Sequence, residues 1–217
     1  MMLLAEVENV SFHRNEQRQF FNGLDFSWQS HEKIGITGDN GAGKSSFLHM
    51  LMGLTKPLSG SIKILGETCV SDRDFVNARK RLGLLFQNAD DQLFCPTVID
   101  DVAFGPLNLG FDQKTAIAKA QLALDKVGKR DLEHRICHSL SGGEKRMVAL
   151  ACVLAMEPEG LLLDEPTNAL DHASRHHLID VLNQLDIGIL VISHDMPFLK
   201  TVVQRNVELK QGKFYEC

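Results

Sequence analysis

The chain contains no apolar run near the ~18 residues that a membrane-spanning helix needs. No segment is therefore expected to cross a bilayer by itself. It has no basic excess either: the net charge is -5, and a nucleic-acid binder usually carries a basic face, so nucleic acid is not an expected partner. Cysteines are few and unpaired in pattern. Five of them stand scattered at 69, 95, 137, 152 and 217, with no C-x-x-C, which reads as a reduced, cytosolic chain. Cys152 falls in an apolar helical pattern and is expected in a core. The start, Met1-Met2-Leu3-Leu4-Ala5-Glu6, is too short and lacks the basic residues of a signal peptide. No internal repeat or low-complexity tract is present. What remains is 217 residues with 44% hydrophobic content, enough for one domain with a sizeable core and room for a subdomain.

Periodicity predicts the elements. Strands are expected at Leu4 to Phe12, with imperfect alternation, and at Phe20 to Trp28, separated by a polar stretch from His13 to Gln19. A short strand, Glu32 to Thr37, runs into a glycine-rich loop. The helix Lys44 to Leu54 is apolar nearly all round and therefore buried, and Gly53 and Pro57 mark its end. A strand at Ser61 to Leu65, a polar helix at Asp72 to Arg81 and a buried strand at Leu82 to Phe86 follow. From Gln87 to Asp112, prolines and glycines predict irregular chain. Helices are expected at Gln113 to Val127, Gly142 to Met156 and Leu178 to Leu185. The apolar runs Gly160 to Leu163 and Ile187 to Ile192 read as central parallel strands. Val207 to Leu209 and Lys213 to Tyr215 form a hairpin around Gln211-Gly212. The sum is an α/β core with a helical insertion.

Two segments carry the chemistry. Gly38-Asp39-Asn40-Gly41-Ala42-Gly43-Lys44-Ser45 matches G-x-x-x-x-G-K-[ST] after a strand and before a helix. Glycines let the loop turn successive N–H groups toward phosphate oxygens, and the new helix adds its positive end. Lys44 supplies a point charge for the β- and γ-phosphates, and the Ser45 hydroxyl is a hard ligand for Mg²⁺. Asp164 ends an apolar strand, where a carboxylate can hold Mg²⁺ directly or through water. Glu165 is next and points differently by backbone alternation, toward a water in line with the γ-phosphate.

The second segment is Leu140-Ser141-Gly142-Gly143-Glu144. Ser141 and Glu144 form a capping box for the following helix. A cap alone does not need two glycines, which cost a helix roughly 1 kcal/mol each. Bare N–H groups on a positive helix end suit a phosphate approaching closely. The first loop already holds its own nucleotide, so this second anion site points to the nucleotide of a partner subunit.

Taken in order, these motifs resemble an ABC transporter ATPase subunit over nearly the whole chain. Leu140 to Glu144 matches that family's signature, and Leu161 to Glu165 resembles its Walker B strand with the catalytic glutamate. Gln87 resembles the glutamine that senses Mg²⁺ and water, Asn168-Ala169-Leu170-Asp171 the D-loop, and Ile192-Ser193-His194-Asp195 the switch strand with its γ-phosphate histidine. The resemblance implies a P-loop NTPase (RecA-like) core with an antiparallel β subdomain, over 1–88 and 158–217, and a helical signature subdomain over 89–157. It implies ATP and Mg²⁺ as ligands. Gly38 to Ser45, Ser46, Ser141, Gly142, Gly143 and Asp171 then contact nucleotide; Ser45, Gln87 and Asp164 bind metal; Glu165, His194, Gln87 and Lys44 act in hydrolysis.

A finer resemblance, in Gln87 to Phe94 and Asp100 to Pro106, is to the energy-coupling-factor group, which includes cobalt, nickel and biotin uptake ATPases. There this segment docks a membrane subunit's coupling helices, and the apolar Leu93, Phe94 and Phe104 among acidic residues suit a docking surface. The expectation is an importer ATPase at the cytoplasmic face of the cell membrane, held through integral membrane subunits that dock near 87–106. It acts as a homodimer or as a heterodimer with a paralogue. A transition metal, cobalt or nickel, is the first expected cargo; the alternatives are a vitamin of the biotin type or a soluble non-transport ABC ATPase. The chain departs from the family at the adenine-stacking aromatic, where Arg14 stands; its guanidinium can stack, or Phe12 or Phe20 can substitute. His134, Cys137 and His138, and likewise His172, His176 and His177, have metal-like spacing but read as surface or loop residues.

Overall fold

The computed structural model describes residues 2–15 and 18–217, with side chains described outside 14–19. The chain divides into two compact units: 1–84, 159–164 and 187–217 form the first, and 85–158 and 165–186 the second.

The first unit contains two sheets. One is antiparallel, in the order β2-β1-β4-β5, built from β1 (Leu3–Asn15), β2 (Arg18–Gln29), β4 (Ser59–Ile64) and β5 (Glu67–Thr68). The imperfect alternation of β1 has a structural cause. Its register slips between Val7 and Val10, where Asn9 adopts φ 50° and its N–H donates to Asp25 Oδ1 at 2.7 Å. The bulge lets Val7 and Val10 both face inward. The polar stretch expected to interrupt the strands at His13 to Gln19 is, where described, strand itself: β1 runs on to Asn15 and β2 begins at Arg18.

The second sheet has the order β10-β9-β3-β8-β7-β6. Its centre is parallel: β3 (Lys33–Thr37), β7 (Gly160–Asp164), β8 (Gly188–Ile192) and β9 (Arg205–Lys210). β10 (Lys213–Glu216) closes the predicted hairpin antiparallel to β9, and β6 is Leu82–Leu85. Every residue of β7 and β8 is buried, as apolar central strands must be. α1 (Lys44–Leu51) buries Phe47, Leu48, Met50 and Leu51 and stops about a turn before Leu54, which is exposed. α2 (Asp72–Arg81) lies as expected, and α7 (Met196–Val202), which periodicity did not indicate, follows the switch segment.

Gly160 and Gly188 open β7 and β8 because nothing larger fits. A Cβ on Gly160 would lie 2.6 Å from the Trp28 ring, and one on Gly188 would lie 2.4 Å from Leu4 Cδ1. Trp28 and Leu4 are fully buried, so neither can swing away. Overpacking of this kind costs about 1–3 kcal/mol. Gly160→Val is expected to lower the midpoint of thermal unfolding by roughly 5–10 °C, read by circular dichroism.

The second unit is helical: α3 (Val98–Asn108), α4 (Gln113–Lys126), α5 (Gly142–Leu154) and α6 (His172–Gln184). α3 corrects the expectation of irregular chain between Gln87 and Asp112. Thr97 caps it, its side chain accepting from Asp100 N at 3.4 Å, and Val98, Val102, Ala103 and Pro106 are buried. Pro106 falls in the last turn. Gly105 is there for space: a Cβ would stand 2.7 Å from Met156 Cγ. α6 starts six residues earlier than its apolar pattern, because Asp171 caps it through Ser174 N at 2.7 Å. Cys152 is half-buried rather than in the core.

Candidate functional site

The candidate residues divide between the units. In the first, β3 ends at Thr37 and the glycine loop leads into α1. Two loop positions require glycine for both conformation and space. Gly38 has φ 134°, and a Cβ there would lie 2.5 Å from Leu209 O; Gly43 has φ 104°, and a Cβ there would meet Phe20 Cδ1 at 2.7 Å. Lys44 is buried, and its ammonium donates to Gly38 O at 2.7 Å and Asp39 O at 3.0 Å. The loop's own carbonyls thus hold the charge over its start. A cavity of about 600 Å³ adjoins it, lined by Phe20, Phe21 and Asn22, by residues 39–42, and by the β9–β10 turn. Ser45 and Ser46 open α1, and Asp164 ends β7 with 3% exposure. A hydroxyl and a buried carboxylate are hard oxygen donors of the kind Mg²⁺ takes. His194 is exposed between β8 and α7, whose cap is Asp195, accepting from Phe198 N at 3.0 Å.

The Arg14 side chain lies outside the described residues. Of the two aromatic substitutes, Phe20 packs over Gly43 and Phe12 lies 6.2 Å from Phe20 between ring centroids, both largely buried.

In the second unit, Ser141 caps α5. Its hydroxyl accepts from Glu144 N at 3.3 Å, and Glu144 Oε2 accepts from Ser141 N at 2.8 Å. That N–H, with the hydroxyl, holds the Glu144 carboxyl below its usual range. The cap is therefore at full strength above the ordinary carboxylate pKa and weakens as pH falls through the depressed one. Gly142 and Gly143 form the first helical residues, and neither has positive φ. A Cβ on Gly142 would meet Ala169 Cβ at 3.4 Å, an ordinary contact. Neither conformation nor space demands glycine at 142.

Gln87 is exposed just past β6, and Asp171 sits at the head of α6. Glu165 is 7% exposed with φ 48°. A left-handed conformation costs a non-glycine residue roughly 1–2 kcal/mol, so the surrounding structure must impose it. Part of what does so is a residue that the sequence reading passed over. Arg146, 3% exposed, donates to the carbonyls of Phe86, Gln87, Glu165 and Pro166. Its signal was available: Leu150 and Val153, four and seven residues on, are core residues on the same helix face.

Leu93 is buried, which removes it from the expected docking surface. Phe94 and Phe104 remain, 64% and 42% exposed, their rings edge-to-face at 4.8 Å. Asp90 is paired with Lys145 at 2.6 Å. Among the described residues, no group of three or more His, Cys, Asp or Glu is placed to hold a metal. Cys137 donates to Asp101 Oδ2 at 3.0 Å; burial, together with Asp101, pushes its thiol up to about 12. His172 and His176 stack at 4.3 Å on the surface of α6.

A strand–glycine loop–helix beside parallel strands, with an acidic strand end, defines a P-loop nucleotide-binding protein. The ABC transporter family profile matches residues 21–168. An uncharacterized ABC transporter ATP-binding protein of Haemophilus influenzae is 41% identical over 95% of this chain and 94% of its own. The energy-coupling factor transporter ATP-binding protein EcfA of Methanosphaera stadtmanae is 40% identical over 90% of this chain and 72% of its own. Among solved structures, CbiO1 of Clostridium perfringens, part of the ABC transporter complex CbiONQ, superposes with a TM-score of 0.88 at 30% identity, covering 99% of this chain and 88% of that one. The chain belongs to the ABC transporter ATP-binding family, and it is an ATPase subunit of a transporter. No helix among the described residues is long and apolar enough to cross a membrane.

Proposed function

We propose that the chain is the ATPase of an energy-coupling-factor importer and works as a dimer in which each ATP is shared between two subunits. The observation that carries this reading is Gly142. It stands on a helix end whose cap is complete, in ordinary helical conformation, with room for a methyl group. Its bareness has a use when a partner's phosphate approaches the N–H groups of Gly142 and Gly143. Gly38 to Ser46 of one subunit and Ser141 to Gly143 of the other would then enclose ATP, with Asp171 beside it and Phe20 against the base. Closure follows ATP because the second anion site gains its ligand only in the closed pair.

In that state Glu165 orients and deprotonates the attacking water, Lys44 stabilises charge on the phosphoryl oxygens, and His194 holds the γ-phosphate. Ser45, Asp164 and Gln87 would hold Mg²⁺, which when bound neutralises charge on the transferring group. Loss of the bridging phosphate lets the dimer open. Both halves of the shared site are present in one chain, so a homodimer suffices, and a paralogue can take the place of one copy.

The segment 87–106 passes the motion to integral membrane subunits, which place the chain at the cytoplasmic face of the membrane. The exposed Phe94–Phe104 pair supports this assignment. Phe94→Ala with Phe104→Ala is expected to cut transport in reconstituted vesicles by roughly tenfold or more while basal ATP turnover of the isolated subunit stays within about twofold. Full transport by that variant would remove the docking role. For the cargo, the first reading is a transition metal ion, cobalt or nickel. ATP-dependent accumulation of radiolabelled cobalt or nickel by the complex with its co-purifying membrane subunits tests it; accumulation of biotin and not metal would replace it with the vitamin reading.

A further inference from the structure

We propose that Arg146 is a positioning residue for hydrolysis, holding the backbones of Gln87 and Glu165 to the signature helix by one buried guanidinium. Four backbone carbonyls from two separate segments accept from it. Nη1 donates to Phe86 O and, at 3.0 Å, to Gln87 O; Nη2 donates to Glu165 O; Nε donates to Pro166 O at 3.3 Å. The planar fork of an arginine suits this, because its donors diverge in fixed directions and reach both segments at once. The charge is 3% exposed, so its donors must be satisfied internally, and carbonyl dipoles on two sides meet that demand.

Each carbonyl it holds belongs to, or adjoins, a residue assigned to hydrolysis. Glu165 is held in the left-handed region, φ 48°, and its carbonyl also accepts from Asn168 N at 3.2 Å. Fixing that carbonyl fixes the peptide plane after Glu165 and hence the direction in which its carboxylate leaves the chain. On the other segment, Gln92 holds the preceding peptide, on the other side of Phe86: its Oε1 accepts from Phe86 N at 3.2 Å, and its Nε2 donates to Ala149 O at 3.0 Å. Gln87 and Glu165 are therefore both referred to α5, the helix that Ser141 caps. Lys145, the preceding residue, adds a pair to Asp90 in the same segment as Gln87.

The inference rests on the catalytic roles proposed for Glu165 and Gln87, and a double-mutant cycle separates the two. Arg146→Lys keeps the charge but offers one compact donor cluster that cannot span both segments. It is expected to lower kcat roughly 10- to 100-fold through misplacement of the reacting groups. ATP affinity should move less than about threefold, because the phosphate loop belongs to the other compact unit. In a background carrying both Glu165→Gln and Gln87→Ala, single-turnover rates should fall only about twofold further on adding Arg146→Lys, since both groups being positioned are already gone. Equal losses in both backgrounds, or full turnover by a folded Arg146→Lys protein, would overturn the proposal. Should Arg146→Lys fail to fold by circular dichroism, Gln92→Leu frees the N–H of Phe86 and loosens the same segment before Gln87 while leaving Arg146 in place. Its loss should vanish in a Gln87→Ala background, and additivity there overturns the proposal equally. Wild-type turnover by Glu165→Gln alone would instead remove the role of Glu165 itself, a result visible before any cycle is run.

Discussion

Glu165→Gln is expected to turn over ATP about 100-fold or more slowly than the unaltered protein and to accumulate as an ATP-bound dimer. The amide keeps the size and the hydrogen-bonding reach of the carboxylate but cannot accept a proton. Glu165 is 7% exposed and held at φ 48°, so an isosteric amide is expected to keep its place and the fold. On the proposed shared site, ATP should then bind and the pair close, while the step that removes the bridging phosphate should fail. Phosphate release and size measurement by light scattering, at saturating ATP-Mg²⁺, check both halves. A variant that stays monomeric under those conditions sinks the shared-site reading. One that dimerises yet hydrolyses at the normal rate sinks the role of Glu165.

The parts of the fold that were legible in the sequence are those whose local pattern and tertiary use agree. The loop Gly38 to Ser45 has fixed spacing, and two of its glycines are forced by conformation and by Leu209 and Phe20. β7 and β8 are short apolar runs buried at every position, so composition alone marks them. α3 was hidden because Gly105 and Pro106 read as breakers. Packing overrules that reading: Gly105 is small to clear Met156, and Pro106 comes late enough to cost little. Arg146 was missed for a related reason. A charge within an apolar helix reads as its solvent edge, whereas here four carbonyls make a buried guanidinium tolerable. Leu93 and Phe94 are adjacent apolar residues in one acidic stretch, and no one-dimensional pattern tells which faces inward; the turn at 89–91 buries the first and exposes the second.

Gly142→Ala separates stability from activity most sharply. A methyl group at this position meets Ala169 at ordinary contact distance, and the φ it needs is helical. Replacing glycine by alanine in a helix gains up to about 1 kcal/mol, so the melting temperature should hold or rise. Turnover should nevertheless fall about 100-fold, the effect of displacing an oxyanion from its preorganised donors. In the Glu165→Gln background the same alanine should leave the protein monomeric at saturating ATP-Mg²⁺, because the methyl group stands where the partner's phosphate would dock. Mixing then shows whose phosphate it is. A subunit carrying Lys44→Ala has a damaged phosphate loop and an intact signature; one carrying Gly142→Ala has the reverse. If each site is built from both chains, a mixed dimer contains one site damaged twice and one wholly intact. With free exchange, half of the dimers are mixed, so an equal mixture of two inactive proteins should regain about a quarter of the wild-type rate. If each chain holds its nucleotide alone, every site in the mixture carries one lesion, and the mixture stays as inactive as its parents.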